Sequence, residues 1–101
     1  MKYDKLVRDK VPESIVKNNQ KPKIHIATEV EFRQKLKLKL QEEVSEYLKD
    51  NEIEKLANII EVVYAIADFN KLKPEDLELM RLKKLREKGG FEKRIILEEI
   101  N

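Results

Sequence analysis

Residues 41–69 read QEEVSEYLKDNEIEKLANIIEVVYAIADF, a stretch rich in carboxylates set among apolar residues at helical spacing. Residues three and four apart are neighbours on a helix, so Glu43 and Glu46 can reach a single ligand. On a helical wheel Leu36, Leu40, Val44 and Tyr47 share one arc. Glu43 falls inside that arc near its edge, Glu46 lies just outside it, and Glu42 points further away. The following stretch is apolar almost all round. Ile53, Leu56, Ala57, Ile60, Val63, Tyr64 and Ala67 make a broad face, and Ile59, Val62, Ile66 and Phe69 cover much of the rest. Glu54, Asn58, Glu61 and Asp68 form one polar strip between them, with Ala65 among them. Facing helices that carry acidic side chains can cage a divalent cation. Oxygen-only donors suit magnesium or manganese better than zinc. The same strip can also face solvent, and Glu43 can pair with Lys39 four residues before it.

Basic residues that suit phosphate oxygens occur in three places. Arg81, Lys84 and Lys88 form one stripe at i, i+3 and i+7 spacing. Lys5, Arg8 and Lys10 lie in KLVRDK, and Arg94 follows Gly89-Gly90. Arginine grips phosphate in bidentate fashion, whereas lysine acts as a point charge. Each of these residues, taken singly, also fits a solvated basic surface. Tyr3, Tyr47 and Tyr64 can stack on a base, although core packing accounts equally for the last two. His25, the sole histidine, is left out of the chemistry. No glycine-rich phosphate loop is present.

The elements that must position these residues are helical. A short helix is expected after KLVRDK, with Pro12 in its first turn and Asn18-Asn19 at its end. A long helix is expected over residues 29–49, despite the strand-like alternation of KLKLKL. Asp50-Asn51 makes a turn into a helix over residues 52–70. Pro74, Glu75 and Asp76 open a last helix that Gly89-Gly90 closes. KPKIHIAT and KRIILEEI alternate as short strands and are expected to pair, which gives a mainly α domain with a small two-stranded β element.

Length and composition narrow the class. The chain has 101 residues, the size of one domain over residues 1–101. Apolar residues make up 41% and charged residues 42%, and the apolar ones are periodic, so a folded, heavily charged surface is expected. A net charge of +2 is too balanced for a polymeric nucleic-acid partner. The absence of cysteine excludes disulfides, thiolate metal sites and cysteine nucleophiles. No stretch is apolar enough for a signal-peptide core or a membrane span, so a cytoplasmic location without a membrane partner is expected. Leu38 lies opposite Leu36 and Leu40, and one small chain has too few elements to cover every apolar face. A homodimer or higher homo-oligomer is therefore expected, most simply a two-fold four-helix bundle.

Four stretches together resemble a known family: YDKLVRDKVPE, EEVSEYL, LANIIEVVYAIA and GGFEKRIILEE. They resemble the all-α, MazG-like nucleoside triphosphate pyrophosphohydrolases. The likeness is greatest to their small phosphoribosyl-ATP pyrophosphohydrolase-like branch. In that family E-E-x-x-E on one helix and E-x-x-D on the next hold magnesium. The first motif stands here as Glu42, Glu43 and Glu46. Lys55 and Asn58 occupy the positions of the second. The resemblance implies an all-α pyrophosphohydrolase fold. It also implies a magnesium-dependent enzyme, manganese being an alternative ion, that splits a nucleotide between its α and β phosphates. Glu43, Glu46, Glu61 and Asn58 are the implied metal residues. Lys5, Arg8, Arg81, Lys84, Lys88 and Arg94 are the candidates for phosphate. The alternative is a non-catalytic nucleotide- or partner-binding helical protein with a degraded metal site, which Lys55 and Asn58 favour.

Overall fold

The computed structural model describes residues 4–101 and contains helices α1 (Val11–Lys17), α2 (Glu29–Asp50), α3 (Glu54–Phe69) and α4 (Pro74–Lys88). Tyr3 lies outside the described residues. Local chemistry sets each helix boundary. Pro12 sits in the first turn of α1, where its missing N–H costs nothing. Thr28 caps α2, its hydroxyl accepting the Glu31 N–H at 3.3 Å. Asn51 ends α2 in the left-handed conformation (φ 56°), and its N–H donates to the Tyr47 carbonyl at 2.8 Å. Pro74 with Glu75 and Asp76 opens α4, and Arg86 and Lys88 close it, each charge matching the nearby end of the helix dipole. Gly89 then leaves the helix with φ 79°. KLKLKL lies wholly within α2, because its residues form helices well and Leu36 and Leu40 meet one turn apart. Thr28→Ala should lower the unfolding free energy by about 1 kcal/mol. Urea denaturation followed by circular dichroism would read this loss, and an unchanged midpoint would contradict it.

The short link after Asn51 folds α3 back against α2, and this hairpin is the main packing unit, with α4 packed only on α3. Leu36, Val62 and Ala67 are its buried apolar residues. Phe32 meets Phe69 edge-on with ring centroids 5.6 Å apart, and the Arg33 guanidinium lies over the Phe69 ring. The narrower apolar face of α3, carrying Ile59, Val62, Ile66 and Phe69, packs inward. Of the broader face Ile53, Leu56, Ile60 and Tyr64 are exposed, while Val63 is half-buried and Ala67 is buried.

The expected two-stranded element is absent: no strand occurs among the described residues. Ile24, Ile26, Ile95, Ile96, Leu97 and Ile100 are all exposed. Alternation says which residues share a face, but a strand needs a partner. A lone pair of strands with no apolar layer beneath it is marginal in water.

The chain is open for its size. Its accessible surface is 9930 Å², whereas a compact monomer of 12.0 kDa exposes about 6,000 Å². Its radius of gyration is 17.9 Å, against about 13 Å for a compact domain of this length. Part of the excess comes from the extended segments before α2 and after α4. The rest includes the outer face of α3 and the exposed Leu79, Met80, Leu82 and Leu85 of α4. Among the described residues no helix is long and apolar enough to cross a membrane.

Candidate functional site

The α2–α3 hairpin is apolar at one end and polar at the other. Phe32 meets Phe69 at the open end, where Leu36 and Ile66 line the same groove. Toward the connection, Lys55 of α3 reaches Glu46 of α2, with Glu43 and Lys39 one and two turns before Glu46 on α2. Glu43 is the centre of this polar half. It lies seven residues after Leu36, which is two turns and the same face. It is 7% exposed, so the sequence-based expectation of a carboxylate on the apolar side is met, at the middle of the packed face rather than its edge. Its Oε2 is buried without a hydrogen-bond partner. Among the described residues its Oε1 has only the Lys39 ammonium, at 3.6 Å. A buried carboxylate oxygen left unpaired costs stability unless something else satisfies it.

Lysines surround the other carboxylates. Lys55 Nζ donates to Glu46 Oε2 at 3.4 Å. The attraction of Glu46, with smaller contributions from Glu52 and Glu43, raises the Lys55 ammonium above the ordinary lysine pKa. Glu42 accepts from Lys5 at 3.0 Å and from Lys39 at 3.5 Å. The Lys5 hydrogen bond is the main reason the Glu42 carboxyl is held below the ordinary glutamate value, with Lys39 assisting. The folded-state value is therefore the lower one, so this pair stabilises the chain above the unfolded glutamate pKa. The contribution is lost as pH falls through the lowered value. Lys5→Ala should flatten the acid limb of the stability–pH curve, as read by urea denaturation from pH 6 to pH 3. An unchanged limb would mean that the pair contributes nothing.

A strap of basic residues crosses this face. Lys35 donates to the Asp4 carbonyl at 2.6 Å, Lys5 reaches Glu42, and the Arg8 Nη2 donates to Asn58 Oδ1 at 3.1 Å. Lys5 and Arg8, both candidates from the sequence, thus reach Glu42 of α2 and the candidate Asn58 of α3, while Glu43 and Glu46 follow Glu42 within about one turn on α2. The remaining candidates do not join them. Glu61 is exposed on α3, as are Glu54 and Asp68 of its polar strip. Glu61 makes no ion pair or hydrogen bond among the described residues. Arg81 is paired with Glu78 on its own helix. Lys84 and Lys88 are exposed on α4, and Arg94 is exposed in the C-terminal segment, held in a left-handed turn with φ 56°. His25 binds Glu31 at 2.9 Å, a local tie at the start of α2.

No family model, curated protein or solved structure matches the chain. What the site can do is therefore read from its own donors. Among the described residues no three His, Cys, Asp or Glu side chains converge closely enough to hold a metal ion. The donor types nonetheless fit a hard cation. They are carboxylate and amide oxygens, and the buried Glu43 oxygen has no other partner. Two lysine ammoniums supply the positive charge beside these carboxylates. A small cavity of about 40 Å³ lies beside Lys5, Lys39 and Glu42. That is room on the scale of one water molecule. A second, open groove of about 390 Å³ lies at the apolar end between Arg33, Lys37 and Phe69, away from the carboxylates. The Lys39–Glu43 pairing expected from their i, i+4 spacing is present, and Lys55 of α3 joins the site through Glu46.

Proposed function

We propose that this chain is a magnesium-dependent nucleotide pyrophosphohydrolase, converting a nucleoside triphosphate or a related nucleotide to monophosphate and pyrophosphate. The single observation that carries this reading is the buried Glu43, whose inner oxygen has no partner, set one turn from Glu46 on α2. The resemblance to the MazG-like family supports the substrate class and reaction. Glu43 and Glu46 would hold magnesium or manganese, and Asn58 would offer an oxygen from α3, whereas Glu61 is exposed on α3 and does not join them in the single chain. The ion, when bound, supplies charge neutralisation on phosphate and a water of lowered pKa. Lys5 and Arg8 bind and orient phosphate oxygens from the strap, the guanidinium leaving Asn58 to do so. A carboxylate of the cluster takes the proton of the attacking water. The open apolar faces support assembly as a homodimer or higher oligomer.

A second reading has its own observation. The Lys55–Glu46 ion pair ties up one carboxylate of the proposed site, as expected of a nucleotide- or partner-binding protein that has lost catalysis. Asn58→Asp separates the two. In a weak enzyme the added anionic oxygen should tighten magnesium binding and raise pyrophosphate release severalfold. In a binding protein it should raise neither. The direct test is pyrophosphate release from a panel of nucleoside triphosphates and phosphoribosyl nucleotides, with and without magnesium. Release that needs magnesium and disappears in Glu43→Gln is expected. No release from any member by the parent chain overturns the enzyme reading.

A further inference from the structure

Lys55 is badly placed for α3 itself. It is the second residue of the helix, where the dipole disfavours positive charge. The carboxylates of α2 hold it there: its ammonium meets Glu46 at 3.4 Å and lies within the field of Glu43, which is buried and keeps one oxygen unpaired. A divalent ion shared by Glu43 and Glu46 must displace this ammonium, because the two cations would otherwise stand side by side. Once displaced, the ammonium faces solvent and Glu52, unless an anion arrives with the ion.

We propose that Lys55 is a tethered counter-cation that exchanges with the divalent ion and then pairs with a phosphate of the incoming nucleotide, so that ion and nucleotide bind together rather than in turn. This rests on the metal-site reading above and adds to it a coupling between two ligands. The free ion alone binds poorly, because it must release the Lys55–Glu46 pair. The ion with a polyphosphate binds well, because the released ammonium gains a new partner. Coupling of this kind is reciprocal: the nucleotide must also bind more tightly when the ion is present, through the same residue. Removing the lysine charge should therefore act in opposite directions on the two ligands.

The test uses manganese, titrated by electron paramagnetic resonance into the full chain, alone and with a non-hydrolysable triphosphate. In Lys55→Gln, manganese alone should bind about tenfold more tightly than in the parent. The enhancement that the triphosphate gives to manganese binding should shrink by a similar factor. Lys55→Arg, which keeps the charge, should resemble the parent, and circular dichroism should give equal helix content for all three. If manganese binds the parent but binds Lys55→Gln no more tightly, the exchange role is wrong while the metal site stands. If manganese binds none of the three, with or without triphosphate, the metal-site reading fails and the exchange falls with it.

Discussion

Glu43→Met should make the chain more stable and take away its response to magnesium. Methionine has a similar length, carries no charge, and is flanked by the apolar half of the hairpin interface. The substitution removes a buried oxygen that nothing satisfies. Leaving such a group unpaired costs on the order of 1–3 kcal/mol. Lys39 loses a partner at 3.6 Å but keeps Glu42 at 3.5 Å. A net gain of about 1–2 kcal/mol without metal follows. Magnesium at a hundred times its dissociation constant should stabilise the parent by about 2.7 kcal/mol, and the variant by little. Urea denaturation with and without magnesium reads both effects. A less stable variant would mean that the Glu43 carboxylate is satisfied in the folded chain. An equal gain in parent and variant would put the ion elsewhere.

The second large effect concerns assembly. Ile53, Leu56, Ile60 and Tyr64 form one exposed apolar face along α3, and Leu82 and Leu85 of α4 are exposed as well. Area of this kind is buried in stable oligomers, and the chain exposes far more surface than a compact monomer of its mass. In solution the protein should sediment at twice the 12.0 kDa chain mass or more at micromolar concentration. Ile60→Glu, which puts a charge at the middle of that face, should cost ~3 kcal/mol of association, more than a hundredfold in dissociation constant. Its helix content should hold, because Ile60 is half exposed within the single chain. Sedimentation equilibrium showing a 12.0 kDa species for the parent would contradict the assembly outright.

The helices were legible in the sequence because their ends are punctuated by residues with one strong local preference. Pro12 and Pro74 start helices, Asn51 accepts the left-handed turn, and Gly89 stops α4. The strands were misread because period-two alternation carries no information about a partner. KLKLKL and KPKIHIAT show the same alternation, yet one is helix and the other neither helix nor strand. The site was half legible. A helical wheel gives directions around one helix but not which face its neighbour takes. It therefore put Glu43 on the apolar arc correctly, yet could not tell that α3 would turn its narrower face inward and leave Glu61 exposed. Arg81 illustrates the same limit: its stripe on α4 is real, but Glu78 one turn earlier is its partner. Lys55 was visible only as a departure from a family pattern. Its role beside Glu46 needed the hairpin geometry, since nine residues and a turn separate the two.

The central claim is the bond that is broken. The most direct measurement is a phosphorus NMR time course of a nucleoside triphosphate with the protein and magnesium. The triphosphate should be replaced by resonances of monophosphate and pyrophosphate in equal amounts, with no diphosphate at any time, and Glu43→Gln should leave it intact. Accumulation of diphosphate and orthophosphate, or an unchanged spectrum from a parent protein that binds magnesium, would contradict it.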